Sequence, residues 1–210
     1  MKQSGTIALF QYWDRLRKGR PAPRRTEIEP VDIKTMLADT FILEQDVRGL
    51  AVFRLAGTRL CATFGRELKG FAFASLWAHE DQRFAVRLAV GGLSDKSVSV
   101  TSFSGATRQG RSLDFELLML PLDGGTESPR SLGSICPVEK PYWLGSDPVV
   151  ECRINSVRVV DPQQERLFLR DRPQVEAPPL SPSEQTIAPG QAAAHRRFRH
   201  LVVIDGGRAR

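Results

Sequence analysis

The sequence predicts an α+β fold in which five antiparallel strands form one sheet and short helices gather on one of its faces. Two strand candidates come first, then a stretch with helical periodicity, then three more strands. The strand candidates are residues 40–44, 51–55, 97–103, 113–119 and 131–136. The clearest of them runs from Leu113 to Met119, where every second residue is a large apolar one.

Residues 51–77 are the stretch around which the rest of the chain is organised. This stretch begins as a strand, and Gly57, Gly65 and Gly70 then divide it into short helical turns. Such an element is poorly suited to a solid core and well suited to form the wall of a small cavity. The sequence does not indicate what, if anything, occupies that cavity.

The N-terminal segment predicts an amphipathic helix over residues 5–18. Ile7, Phe10, Trp13 and Leu16 recur at three-residue spacing, and Gly19 followed by two prolines ends the helix. Because this helix precedes the sheet, its apolar face must cover either its own domain or a second copy.

The remaining elements follow from local patterns. Residues 79–88 predict a longer helix that stops at Gly91 and Gly92. Residues 173–193 contain five prolines and few large apolar groups, which predicts a disordered linker. The terminal run FRHLVVIDGG is compact and apolar, and we expect it to dock as an added strand or a short helix.

Composition limits the classes of function. The chain has 210 residues, 41% apolar, and a net charge of +6 that is concentrated in residues 1–25. This local basic patch leaves nucleic-acid or anionic-membrane contact as an alternative but does not indicate a dedicated nucleic-acid binder. The three cysteines have no metal-type spacing, and no signal or membrane-spanning segment is apparent, so we expect a soluble cytoplasmic protein.

The residues that could carry chemistry have simpler explanations. His79 lies at a helix start beside two acids, and Cys61 has no second ligand at suitable spacing. Asp114 and Glu116 share one face of a strand, which we interpret as a solvated outer face. No nucleophile, phosphate-loop or metalloprotease motif occurs, so the sequence predicts no catalytic or metal site and no enzyme.

The order and wording of these elements resemble the PAS domain. The pieces that carry the resemblance are YWDRLRKGRPAPRRTEIEP, FRLAGTRLCATFGRELKGFAFASLW, LLMLPL, SLGSICPVEKPYWLG and HLVVIDGG. They are similar to a family of single-domain bacterial PAS proteins, once filed as conserved proteins of unknown function. The resemblance implies a sensory or protein-interaction module that commonly dimerises through its N-terminal helix.

The resemblance also assigns roles to residues. It implies an N-terminal extension over residues 1–38, a PAS domain over 39–145 and a C-terminal extension over 146–210. The implied dimer interface is Ile7, Phe10, Trp13 and Leu16. The implied apolar ligand pocket is Phe53, Leu55, Leu60, Cys61, Phe64, Phe71, Phe73, Trp77, Phe84, Leu88, Phe115 and Leu117.

The sequence departs from the PAS relatives that carry coloured cofactors. Haem-binding relatives present a histidine from the longer helix toward the pocket, whereas His79 stands at the start of that helix. Flavin photoreceptors set their cysteine between asparagine and arginine, whereas Cys61 stands between Leu60 and Ala62. No cofactor is therefore evident: we expect no flavin, and haem at His79 stays an alternative. The sequence predicts a homodimeric sensor or adaptor that contacts an unidentified signalling protein and has a pocket for a small-molecule ligand. The alternatives are a small cavity-based enzyme and nucleic-acid or membrane association through the basic segment.

Overall fold

The computed structural model describes residues 1–124, 129–170, 196–198 and 201–203. The chain forms two compact units, Met1–Arg172 and Pro173–Arg210. The first unit holds one antiparallel six-stranded sheet with strand order β2-β1-β5-β4-β3-β6. The strands are β1 (Thr40–Gln45), β2 (Ala51–Ala56), β3 (Val98–Thr107), β4 (Ser112–Leu122), β5 (Arg130–Pro137) and β6 (Val149–Val160).

The sixth strand is an addition to the five that the sequence predicts. β6 pairs with β3 along ten residues, from Val160 opposite Val98 to Val149 opposite Thr107. It escaped prediction because it is an edge strand with mostly exposed side chains, so its apolar alternation is weak. The predicted domain boundaries at 38/39 and 145/146 both fall inside the first compact unit.

Four helices accompany the sheet. They are α1 (Ser4–Arg17), α2 (Thr58–Thr63), α3 (Gln82–Leu93) and α4 (Pro162–Arg170). Five 3-10 turns connect them to the strands, at Arg25–Glu27, Pro30–Ile33, Leu37–Asp39, Phe73–Leu76 and His79–Asp81. α3 continues past the predicted stop, and Gly92 is buried against the sheet, where a Cβ would lie 3.3 Å from Met119 Cε.

Two apolar cores lie on opposite faces of the sheet. β4 serves both, since Leu117 and Met119 belong to the core under α2 and α3, whereas Leu118 and Leu120 belong to the core under α1. The short helices thus gather on one face, as predicted, and the outer face is covered by α1 rather than solvated. Leu169 of α4 joins the same outer core.

The second unit contains a short antiparallel pair, β7 (Arg196–Phe198) and β8 (Leu201–Val203). The predicted linker over residues 173–193 lies outside the described residues. Within the described part of the chain, no helix has the length and apolarity needed to cross a bilayer.

Candidate functional site

The space between the sheet and the short helices is filled by aromatic rings. Phe41 packs against Phe53 and Phe73 with ring centroids 5.5 and 6.3 Å apart. The row continues from Phe73 to Trp77 at 5.7 Å, from Trp77 to Phe103 at 5.0 Å and from Phe103 to Phe115 at 5.1 Å. These six side chains, which we call the aromatic row, are at most 3% exposed.

Most of the predicted pocket residues lie in this core. Those that are buried in the core on the short-helix side are Phe53, Leu60, Phe64, Phe73, Trp77, Phe115 and Leu117. Leu88 of α3 is buried as well but is not a member of that core. Cys61 is half-buried and packs against the same cluster. Sequence reasoning missed Phe41 and Phe103, although both stand at apolar positions of strands that it had placed.

Three predicted pocket residues are at the surface instead. Leu55 is 50% exposed, Phe71 44% and Phe84 41%. Leu55 turns outward because β2 carries a bulge: Phe53 pairs with Leu43 and Leu55 with Ile42, so Arg54 is an extra residue. In a regular strand, Phe53 and Leu55 would point to the same face of the sheet. The extra residue puts them on opposite faces.

The aromatic row and the strand β3 beside it hold two buried polar atoms that are not hydrogen-bonded. Trp77 Nε1 and Thr101 Oγ1 are buried and find no partner among the described residues. Each unsatisfied group costs about 1–3 kcal/mol. Ser131 Oγ on β5, near Gly92 of α3, is another buried oxygen of this interior with no hydrogen-bond partner among the described residues.

A separate cleft of about 410 Å³ opens outside this packed interior. Its walls are the end of α2, the Phe73–Leu76 turn, the β3–β4 loop and the segment that leads into β6. It is lined by Phe64, Gly65, Arg66, Ser75, Leu76, Arg108, Asp147, Pro148, Val149 and Val150. We call it the arginine cleft.

The end of α2 shapes one wall of the arginine cleft. Gly65 has φ +62°, and the amides of Gly65 and Arg66 donate to the carbonyls of Ala62 and Cys61, which is a Schellman motif. A Cβ on Gly65 would lie 2.5 Å from Pro148 Cγ. Glycine is therefore required here both for the backbone conformation and for the close approach of Pro148.

A second wall is tied together by a buried carboxylate. Asp147 is 7% exposed. Its Oδ2 accepts a hydrogen bond from Thr107 Oγ1 at 2.8 Å and pairs with Arg111 Nη1 at 3.5 Å. The Arg111 guanidinium also lies 5.8 Å from the ring centroid of Trp143. These contacts hold the β3–β4 loop against the segment before β6.

The predicted dimer helix is docked on its own chain. Phe10 and Trp13 are at most 1% exposed on the outer face of the sheet, and Trp13 Nε1 donates to the Pro121 carbonyl at 2.7 Å. Ile7 and Leu16 are half-buried against the same core. The prediction that these four residues bury against a second copy is wrong for Phe10 and Trp13, because their own sheet already covers them.

Glu116 has a structural role that the sequence did not indicate. It is buried on the outer face and accepts hydrogen bonds from the Lys2 amide at 2.8 Å and the Gln3 amide at 3.0 Å. The carboxylate thus satisfies amides at the start of α1, where the helix dipole also favours a negative charge. The interpretation of Asp114 and Glu116 as one solvated face holds for Asp114 alone, which is exposed.

Comparison with protein-family models decides which family this architecture represents. The model described as "PAS domain" matches residues 1–136. The chain belongs to the PAS domain family. A comparison with curated protein sequences finds no match.

The PAS match and the structure differ in extent. The match includes α1 and ends within β5, whereas the sheet of this PAS domain continues through β6 to Val160. Arg158 of β6 binds Glu165 of α4, with Nη1 and Oε2 2.7 Å apart. The elements beyond the match are thus joined to one another as well as to the sheet.

The residues considered for cofactor chemistry lie on different elements, His79 in a 3-10 turn and Cys61 in α2. His79 is exposed in the His79–Asp81 turn, and Cys61 Sγ lies 3.7 Å from Glu67 Oε1. Burial raises the pKa of the Cys152 thiol to about 12 and also raises that of Cys136, so both thiols are held neutral. Within the described residues, no group of three or more histidine, cysteine or acidic side chains is placed to hold a metal ion.

Proposed function

We propose that this PAS domain is a signalling module that acts by contact with another protein and does not hold a ligand inside its sheet-and-helix interior. Family membership supports a sensory or signalling role in general. The observation that carries the finer proposal is the aromatic row, whose rings occupy the space where an interior ligand would sit.

The surface offers apolar side chains for such a contact. Leu50 of the β1–β2 turn is 43% exposed, and Val86 and Val90 of α3 are 42% and 41% exposed. These three residues line one shallow groove between that turn and α3. Exposed apolar side chains that adjoin one another are typical of protein-interaction surfaces.

The proposal assigns no catalytic step to the domain. Of the two carboxylates on β4, Glu116 is engaged by the amides of Lys2 and Gln3, and Asp114 Oδ1 accepts a hydrogen bond from Ser104 Oγ at 2.7 Å. A general acid or base needs a carboxylate that reaches a substrate proton. The engagement of Glu116 supports a structural role for it.

Site-specific photo-crosslinking in host cells tests the proposal. A photoreactive residue is placed in turn at Val90, at Val159 of β6 and at Tyr142, which are 41%, 72% and 91% exposed. We expect at least one position to give a discrete adduct with another protein. An added aspartate beside that position, such as Val86→Asp for Val90, should remove the adduct without changing the melting temperature.

If no position gives a discrete adduct while the domain keeps a small molecule through mild purification, the protein-contact proposal is wrong and an interior ligand replaces it. The aspartate variant changes the surface and leaves the aromatic row untouched, so loss of the adduct in that variant reports on the surface contact.

A further inference from the structure

The arginine cleft carries positive charge that no nearby acid neutralises. Arg66 and Arg108 both line it, and neither forms an ion pair with any of the described residues. The one acid in its lining, Asp147, is already bound to Thr107 and Arg111. A cleft with an excess of positive charge attracts anions, and an arginine pair matches the oxygen atoms of a carboxylate or phosphate.

Arg66 is held in place before any ligand arrives. Its backbone is fixed by the Schellman motif at the end of α2. Its side chain lies over the Phe71 ring, 4.7 Å from the centroid, and Nη2 is 3.3 Å from Ser75 Oγ. A guanidinium with few remaining conformations loses less entropy when it binds an anion.

Arg108 comes from a different element. It stands in the tight loop between β3 and β4, where the Thr107 amide donates to the Arg111 carbonyl at 2.9 Å and Gly110 has φ +78°. The Thr107–Asp147 hydrogen bond holds this loop against the segment before β6. The two arginines therefore line the cleft from two different elements, each on anchored backbone.

The rest of the lining combines the polar side chains of Ser75 and Asp147 with apolar ones. Phe64, Leu76 and Pro148 contribute, together with the valines at the start of β6. A volume of about 410 Å³ lies within the range of small-molecule sites, and apolar walls with a few convergent polar groups are their usual composition. The occupant that fits is a small molecule with an apolar body and one anionic head.

We propose that the arginine cleft binds a soluble amphiphilic anion, with its carboxylate or phosphate between Arg66 and Arg108 and its apolar body against Phe64, Leu76 and Pro148. The cleft lies outside the aromatic row, so this site does not depend on the protein-contact proposal. If the test of one proposal fails, the other proposal is unaffected.

An NMR titration of the full chain tests the site with defined probes. Benzoate and phenyl phosphate supply the two head groups on one apolar ring, and benzyl alcohol is the neutral control. We expect saturable shifts in the amides of the cleft for at least one acid and none for the alcohol. Which of the two acids binds shows whether the site prefers a carboxylate or a phosphate. Added salt should weaken binding because the charges are exposed.

Matched variants complete the test. Arg66→Gln and Arg108→Gln should each weaken binding by about tenfold or more, whereas Arg48→Gln, which removes an exposed arginine on the β1–β2 turn, should not. The proposal is overturned if neither acid gives saturable shifts at about 10 mM, well above a millimolar Kd. Equal binding of the alcohol, or unchanged binding in both cleft variants, overturns it as well.

Discussion

At the scale of single residues, the most consequential contact is made by Glu116. A carboxylate that is 7% exposed would be costly if it were unpaired, but here it receives the amides of Lys2 and Gln3. It joins β4 to the start of α1 through bonds to a charged acceptor. Such bonds contribute about 1.5–3 kcal/mol.

We expect Glu116→Gln to lower the free energy of unfolding by about 1.5–3 kcal/mol, since the amide keeps the shape of the side chain and loses its charge. Urea denaturation followed by circular dichroism measures this. Asp114→Asn is the matched control on the same strand, and we expect it to cost less than about 1 kcal/mol because Asp114 is exposed. Equal losses in the two variants would refute the capping role.

The cysteines give a pH-dependent prediction. Burial raises the pKa of Cys152 from 9.0 to about 12, so the folded state favours the neutral thiol. Its contribution to stability is complete below pH 9.0 and is lost as the pH rises toward about 12. At pH 8, iodoacetamide should label half-buried Cys61 well before Cys152, and urea should remove the difference. Equal labelling rates in the native protein would contradict the packing at Cys152.

At the scale of elements, the end of α2 is the most constrained junction. Gly65 and Gly110 both have positive φ, at +62° and +78°, but only Gly65 faces a neighbour, with Pro148 Cγ 2.5 Å from the position of a Cβ. The two glycines therefore separate backbone strain from steric overlap. Gly65 also allows the end of α2 to pack against Pro148 and form one wall of the arginine cleft.

We expect Gly110→Ala to cost about 1–2 kcal/mol, which is the penalty of a left-handed residue with a side chain. Gly65→Ala should cost at least about 1 kcal/mol more, because the added methyl overpacks against Pro148. Urea unfolding of the two variants provides the comparison. A Gly65 variant no less stable than the Gly110 variant would show that Pro148 yields without cost.

β6 provides a second prediction for elements. Val149 and Cys152 are at most 2% exposed and belong to the inner core, and Ala78 donates its amide to the Cys152 carbonyl at 2.8 Å. We expect a chain that ends at residue 145 to lose cooperative thermal unfolding, whereas one that ends at residue 172 keeps it. Calorimetry distinguishes the two, and cooperative unfolding of the shorter chain would show that β6 is dispensable.

At the scale of the whole molecule, the sequence predicted the class of fold and most of its elements. The alternation from Leu113 to Met119 and the glycine breaks after Gly57 carry local information, and they placed β4 and α2 correctly. The exposure of Leu55 could not be predicted, because it depends on a bulge that only the pairing with β1 reveals. Phe71 is exposed beneath the Arg66 guanidinium, a contact between residues that no periodicity connects.

The candidate site was less accessible from the sequence than the fold. Arg66 and Arg108 are 42 positions apart in the numbering of the chain, and nothing local to either one indicates a common cleft. The packing of α1 on the outer face of the sheet could not be predicted either. The pattern in α1 shows an apolar side but not the surface that it packs against. Long-range packing decides both.

The central claim is that the interior of this PAS domain is packed with its own side chains. Xenon is a small apolar probe that enters dry cavities, and its binding can be followed by aromatic NMR signals. We expect no saturable shifts in the wild-type chain and clear binding in Phe73→Ala, with Leu117→Ala as a second variant that opens the same core. Saturable xenon binding to the wild type, with shifts at Phe53, Trp77 and Phe103, would contradict the claim and reveal a chamber for a ligand.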